Sequence, residues 1–296
     1  MKLLVNKTER IDNIYSDVEY RTDNNVPVSK YMLSKLKDID YFYYNYPDKS
    51  KIDTVLQNMM YIHNNNYIYG VGVDGIIKDI FCLYSNKNVY FDTPNYGMVD
   101  VYSSLFGCNR INNIENCDLV YISTPNPSLF EYKDLNELID LIEFYPSVFF
   151  VIDYSYEIYP SGDIQTFFHK IEELISHKNC MVLYGTSKML GLPCLRMGIG
   201  ITNNKHIYSL LDSMKQPHPF TPYSIEVFCS VFKENIINNH VKIINESKLY
   251  FIDLHKKHII NETSGPYIFL DSDVGGCKKI DDYYRFSVID RSLYGI

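Results

Sequence analysis

The sequence predicts an α/β protein: a mostly parallel sheet sandwiched by helices, followed by a smaller α+β unit. Three observations carry this. Between residues 67 and 202, short runs of Val, Ile, Leu, Tyr and Phe alternate with stretches whose apolar residues recur at helical spacing. Several of those runs are continuously apolar, as strands buried on both faces are. After about residue 203 the pattern changes to long helices and then two short strands.

In chain order, residues 1–45 are polar and weakly periodic, an N-terminal arm with one short helix over Ser29–Leu36. Ile52, Val55, Leu56, Met59, Met60 and His63 mark a helix, Tyr67–Tyr69 a strand and Ile76–Leu83 a helix. Val89–Phe91 is a strand, and Met98, Val101, Tyr102, Leu105 and Phe106 form a helical stripe. Leu119–Ser123 and Val148–Ile152 are strands on either side of a helix carrying Leu135, Leu138, Ile139 and Ile142. A helix over Ile164–Ile175 leads to strands at Met181–Tyr184 and Met197–Thr202. Two long helices, Tyr223–Ile237 and Val241–Ile259, precede strands at Tyr267–Leu270 and Tyr284–Val288. Pro217, Pro219 and Pro222 cluster near the change of pattern, which divides the chain into a large domain, 46–212, and a small one, 213–296.

Composition narrows the function. Of 296 residues 46% are hydrophobic and 22% charged, enough for a sizeable core. The net charge of −8 argues against a nucleic-acid partner. No apolar stretch reaches the roughly 18 residues of a membrane span, and the first residues lack the longer apolar stretch of a signal peptide. Cys82, Cys108, Cys117, Cys180, Cys194, Cys229 and Cys277 are odd in number with no Cys-x-x-Cys, which disfavours a disulfide scaffold or a cysteine-rich zinc site. A reducing cytoplasm is the simplest location. His255-x-x-His258 has no third ligand in view and reads as a solvated helix face, so no metal is expected.

In an open parallel sheet ligands bind beyond the carboxyl ends of the strands. Those ends carry Gly70-Val71-Gly72-Val73-Asp74-Gly75, Asp92 to Tyr96, Thr124 to Pro127, Asp153 to Tyr156 and Gly185 to Lys188. The glycine run matches the dinucleotide pattern G-x-G-x-x-G, with Asp92 about 20 residues on, and supports a nicotinamide-dependent oxidoreductase as a rival reading. More widely, any phosphate can sit on backbone N–H groups at a helix N-terminus. Lys188 just past a strand is an ordinary loop lysine or a Schiff-base lysine. Asp153, closing an apolar strand, is a turn or cap residue or the acidic partner of a pyridinium nitrogen. A carboxylate there is costly unless it meets a cation.

Asn126-Pro127-Ser128, Asp153-x-x-Tyr156 and Ser187-Lys188-x-x-Gly191-Leu192-x-x-Leu195-Arg196-x-Gly198, in this order, resemble fold-type I pyridoxal-phosphate aminotransferases, closest to the histidinol-phosphate aminotransferase-like group. Tyr46-Pro47, Pro94-x-Tyr96 and Tyr284-Arg285-Phe286-Ser287-Val288 add to the resemblance. It implies pyridoxal 5'-phosphate as cofactor. Lys188 forms the Schiff base and shuttles the proton between the substrate Cα and the cofactor, and Asp153 keeps the ring nitrogen protonated. Asn126 and Tyr156 hydrogen-bond the ring's phenolic oxygen, and Tyr96 stacks on the ring. Gly72, Val73, Asp74, Ser187 and Arg196 hold the phosphate. Tyr46 reaches it from the other subunit of a homodimer with shared active sites, and Arg285 clamps the substrate carboxylate.

The chain departs from the group's pattern at Gly75, at Gly185, at Ser128-Leu129 and at Tyr154-Ser155, and its small domain is short. The leading reading is an aminotransferase that moves an amino group, from glutamate in the first instance, to an oxo-acid or a phosphorylated or sugar-derived carbonyl. A pyridoxal-phosphate decarboxylase or lyase uses the same lysine and aspartate. The oxidoreductase, and a non-catalytic binding protein on the same fold, complete the alternatives.

Overall fold

A computed structural model of the chain describes residues 30–35, 47–60, 66–129, 131–274, 277–280, 282–288 and 290. Most of the N-terminal arm, with Tyr46 and His63, lies outside them.

Seven strands form one sheet: β1 (Asn66–Val71), β2 (Asn88–Phe91), β3 (Asn109–Arg110), β4 (Leu119–Ser123), β5 (Phe149–Asp153), β6 (Cys180–Gly185) and β7 (Met197–Thr202). Their order is β1-β7-β6-β5-β4-β2-β3. β2, β3, β4, β5 and β6 pair in parallel, and β7 pairs antiparallel with both β1 and β6. β1 therefore points the same way as β6, and the sheet is mostly parallel as expected.

The central strands read as continuous apolar runs because both their faces are covered. Every residue of β4, β5, β6 and β7 is buried. Successive residues feed opposite cores: Tyr121, Val151 and Leu183 join one with Ile76 and Phe81, while Val120, Ile152 and Val182 join the other with Leu138 and Phe167. β3, only two exposed residues long, ends the sheet as a short edge.

The first core is covered by α3 (Gly72–Leu83), α4 (Gly97–Leu105) and α9 (Lys205–Met214), the second by α5 (Leu135–Phe144) and α7 (Ile164–Ile175). Side chains fix the starts of several helices. Asp134 and Glu137 make a capping box for α5, and Asp163 accepts from the Thr166 N–H at the head of α7.

The rest of the chain differs from expectation in detail. α9, capped by Asn204, was absent from the pattern. The two long helices divide at Phe232-Lys233 rather than near residue 239: α10 is Pro222–Val231 and α11 is Glu234–His255. Asn238 and Asn239 are poor helix formers. The buried stripe Ile237, His240, Val241, Ile244 runs through them at helical spacing, and packing overrides propensity. The small sheet has four strands, β8 (Ile259–Glu262), β9 (Tyr267–Leu270), β10 (Lys278–Ile280) and β11 (Tyr283–Ser287), in the antiparallel order β10-β11-β9-β8.

Candidate active site

Because β1, β2, β4, β5 and β6 share one direction, their carboxyl ends lie along one edge of the sheet and gather the loops that carry the candidate residues. The glycine run does not build a dinucleotide site. In that site the first two strands flank one crevice, whereas here β1 lies at the sheet edge and four strands separate it from β2. Asp92, at the end of β2, instead accepts a hydrogen bond from the Tyr90 hydroxyl.

Gly72 opens α3 with φ +69°, a left-handed conformation in which a side chain is strained. Its N–H donates to the Arg196 carbonyl at 2.5 Å. A Cβ on Gly72 would sit 2.8 Å from Arg196 Nη2, so backbone and guanidinium meet closely here. Arg196 is exposed, itself left-handed at φ +52°, and its Nη2 donates to the Val71 carbonyl. Gly198 brings β7 against the same loop, with a built Cβ only 2.3 Å from the Gly72 carbonyl carbon. The departure at Gly185 has a steric cause: a Cβ there would lie 2.7 Å from the Met197 carbonyl oxygen and 3.0 Å from Val73. The Asp74 carboxylate accepts from the hydroxyls of Tyr96 (3.1 Å) and Tyr102 (2.9 Å), which fixes the Tyr96 ring.

Asp153 ends β5 and is 6% exposed. Its Oδ2 accepts from the Tyr121 hydroxyl at 2.5 Å and its Oδ1 from the Ser155 N–H at 2.9 Å. Among the described residues it has no ion pair. Burial pushes its carboxyl above the usual carboxylate range, against the lowering effect of those two donors.

Lys188 lies in the single turn α8 (Thr186–Met189) after β6, the strand beside β5. Its Nζ is 5.7 Å from the centre of the Tyr156 ring. Its carbonyl accepts from the buried Tyr159 hydroxyl at 2.8 Å, which in turn meets His240 Nε2 of α11 at 3.3 Å. The Tyr159 proton goes to the carbonyl, so His240 is the donor to the phenol oxygen. Burial holds the His240 imidazole down to about 4, hence neutral in ordinary buffer. Ser187 is half-buried on the same turn.

Asn126, buried in the loop after β4, donates from Nδ2 to the Pro94 carbonyl and accepts the Ser128 N–H. The small sheet closes on this loop. Tyr267, Arg285 and Tyr283 donate to the carbonyls of Asn126, Pro127 and Ser128 in turn. Tyr267 also meets the Tyr156 ring edge-on at 5.4 Å. Arg285 is 7% exposed, and its buried Nε–H has no partner among the described residues.

The structure thus gathers Lys188, Asp153, Tyr156, Asn126, Tyr96, the Gly72–Asp74 turn, Ser187 and Arg196 on one edge, with Arg285 joined to it at the Pro127 carbonyl. Tyr46 lies outside the described residues. Tyr121, Tyr159, His240 and Tyr267 touch these groups and carry no motif that singles them out. The histidines 255 and 258 are apart from the site, His255 against Phe251 and His258 beside Asp271.

The chain is similar to known aminotransferases in sequence and in fold. A family model described as aminotransferase class I and II matches residues 115–231. The histidinol-phosphate aminotransferase of Caldanaerobacter subterraneus subsp. tengcongensis is 25% identical over 242 residues, 75% of this chain and 67% of that protein. The chain spans little more than half of two others that it matches, 56% of the enzyme so named from Buchnera aphidicola and 53% of that from Campylobacter jejuni subsp. doylei. Among solved structures, histidinol-phosphate aminotransferase from Sinorhizobium meliloti in complex with pyridoxal-5'-phosphate superposes with a TM-score of 0.77 at 13% identity, over 92% of this chain and 86% of that one. L-threonine-O-3-phosphate decarboxylase from Porphyromonas gingivalis gives 0.66 at 14% identity, over 88% and 93%. In sequence over part of its length, and in fold, the chain is thus similar to aminotransferases, the histidinol-phosphate aminotransferases named above among them.

Proposed function

We propose that the chain is a pyridoxal-phosphate-dependent aminotransferase. One observation carries the reading: a buried carboxylate, Asp153, with no cation among the described residues, ends the strand beside the one that Lys188 follows. A group that brings a positive charge to Asp153 and an aldehyde to Lys188 suits both. The cofactor also fits the cradle at Gly72, where a side chain would strike Arg196.

Bound pyridoxal phosphate supplies an electron-withdrawing ring that stabilises negative charge at the substrate Cα. The chain's residues do the rest. Val73 offers its N–H at the α3 N-terminus and, with Ser187 and Arg196, would hold the phosphate, while Gly72, whose N–H is spent on the Arg196 carbonyl, shapes the turn. Asp74 reaches that phosphate only indirectly, since its carboxylate is spent on Tyr96 and Tyr102. Tyr96 packs on the ring, and Asp153 keeps its nitrogen protonated. Asn126 and the Tyr156 hydroxyl donate to the phenolic oxygen. The Lys188 amine takes the proton from the substrate Cα. Arg285, whose Nε–H has no partner among the described residues, binds the substrate carboxylate, a geometry that suits the planar guanidinium.

The amino donor is glutamate and the acceptor an oxo-acid or a phosphorylated or sugar-derived carbonyl. The enzyme works in the cytoplasm as a homodimer in which Tyr46 reaches the neighbour's phosphate, and residues 213–296 form its small domain. Decarboxylation is the second reading, favoured by the decarboxylase named among the structural neighbours. The test is the visible absorbance of the protein loaded with pyridoxal phosphate. A band lost on borohydride reduction, with the label on Lys188, supports the reading. A protein that gains no such band, or a Lys188→Ala variant with full turnover, refutes it. Incubation with glutamate and an oxo-acid then separates amino transfer from release of carbon dioxide.

A further inference from the structure

We propose that Tyr121 is a positioning residue for Asp153: its hydroxyl fixes Oδ2 and makes the carboxylate a better partner for a protonated ring nitrogen. The inference rests on the cofactor reading above and deepens it.

Tyr121 sits in the middle of β4, and Ser123, two residues on, is the register partner of Asp153 on β5. Residues two apart share a face, so the phenol runs along the sheet under the Asp153 side chain. The ring is held against Phe81, with centroids 6.4 Å apart, and only 1% of the residue is exposed. The hydroxyl reaches Oδ2 at 2.5 Å, a short contact of the kind a charged acceptor makes. A strand interior of this kind asks for an aliphatic residue or Phe. A tyrosine there costs desolvation of its hydroxyl unless the hydroxyl is used, and among the described residues it donates to Asp153.

The bond has a direction of effect. Donation to Oδ2 stabilises the ionised carboxylate over the acid. When Asp153 and the ring nitrogen share a proton, that bias puts the proton on the ring. Without the hydroxyl the proton moves toward Asp153 and the ring withdraws electrons less. The Ser155 N–H holds Oδ1, so the carboxylate stays anchored when Tyr121 is altered, and the change is electrostatic rather than a collapse.

The experiment uses the full chain loaded with pyridoxal phosphate labelled with 15N in the ring, in wild type, Tyr121→Phe, Asp153→Asn and the double variant. Tyr121→Phe keeps the ring on Phe81 and removes one oxygen. The 15N shift should move from the protonated toward the unprotonated position in Tyr121→Phe, and fully so in Asp153→Asn. kcat in Tyr121→Phe should fall about tenfold, with KM for the amino donor within about twofold, since one hydrogen bond to a charge is removed. In the Asp153→Asn background the added Tyr121→Phe should change neither quantity, because Tyr121 acts through Asp153. A Tyr121→Phe shift equal to wild type, or an equal loss from Tyr121→Phe in both backgrounds, overturns the inference alone. A wild type that takes up no pyridoxal phosphate overturns it together with the reading it rests on.

Discussion

Replacing Asp153 by Asn should pull activity and stability in opposite directions. The side chain is nearly isosteric, and its remaining oxygen can still accept the Ser155 N–H that Oδ1 accepts now. What goes is the charge, while the Tyr121 hydroxyl, which donates to Oδ2 now, can turn to accept from the new amide N–H. An amide cannot balance a protonated ring nitrogen in a site only 6% exposed. Removing one member of a buried charge pair costs about 3 kcal/mol or more, so kcat should fall roughly a hundredfold. Stability of the cofactor-free protein moves the other way. Asp153 has no cation among the described residues, and burial lifts its carboxyl above the ordinary range. The folded state then holds its proton to higher pH than the unfolded chain does. Ionised Asp153 therefore subtracts stability as pH rises from the ordinary carboxylate value through the raised one. Asn carries no such loss, so the cofactor-free variant should be at least as stable as wild type near neutrality, with an advantage that shrinks on acidification toward about pH 4. Thermal melts across that range, beside steady-state kinetics of loaded protein, decide it. A kcat loss under about threefold, or a cofactor-free variant clearly less stable than wild type at neutral pH, would reduce Asp153 to a turn residue.

Other expectations follow from the same contacts. Arg285→Lys cannot reproduce the planar fork and should raise KM for glutamate about tenfold or more while cofactor absorbance is unchanged; an unchanged KM places the carboxylate clamp elsewhere. Gly198→Ala puts a methyl 2.3 Å from the Gly72 carbonyl carbon, so the phosphate turn must move. A stability loss of about 1–3 kcal/mol and weakened pyridoxal phosphate binding are expected in melts and titrations, and a variant equal to wild type in both refutes the packing argument. For Tyr46, mixing Tyr46→Phe and Lys188→Ala chains should restore part of the activity, because a shared-site heterodimer holds one site free of both changes. A mixture as inactive as its parts, or a monomer in light scattering, excludes the shared site.

What could be read from the sequence follows from what each signal depends on. β4, β7 and α7 have the bounds that hydrophobic pattern alone gives, since strands buried on both faces and amphipathic helices write their burial into consecutive residues. β10, with two lysines in three residues, and β8, whose isoleucines continue the spacing of α11, carry no such pattern. They are strands because β11 and β9 present edges to pair with. The main candidate residues were legible because each follows a strand of the parallel sheet. Tyr121 was not, since one aromatic inside an apolar strand looks like any other until the β4–β5 register brings it under Asp153. Tyr159 and His240 are 81 residues apart and meet only when α11 packs on α6 (Ile158–Ser161).

The contact between the small sheet and the loop after β4 explains why a departure in sequence leaves this part of the site assembled. Ser128-Leu129 stands where the related pattern has Thr-Gly, a change beside a central residue, Asn126. Yet the loop is held largely by its backbone. Three consecutive carbonyls, of Asn126, Pro127 and Ser128, accept from Tyr267, Arg285 and Tyr283, and the Ser128 N–H goes to Asn126 Oδ1. A carbonyl is present whatever the side chain, so these four bonds tolerate substitution at 127 and 128 as long as the turn keeps its path. The donors have no such freedom, because a phenol or guanidinium of the right length must arrive from β9 or β11. Tyr267 has a second constraint, since its ring must also meet Tyr156, which faces the Lys188 ammonium. The specificity of this contact therefore resides in Tyr267, Tyr283 and Arg285, and the small sheet, short as it is, keeps the three side chains that join it to the loop of Asn126.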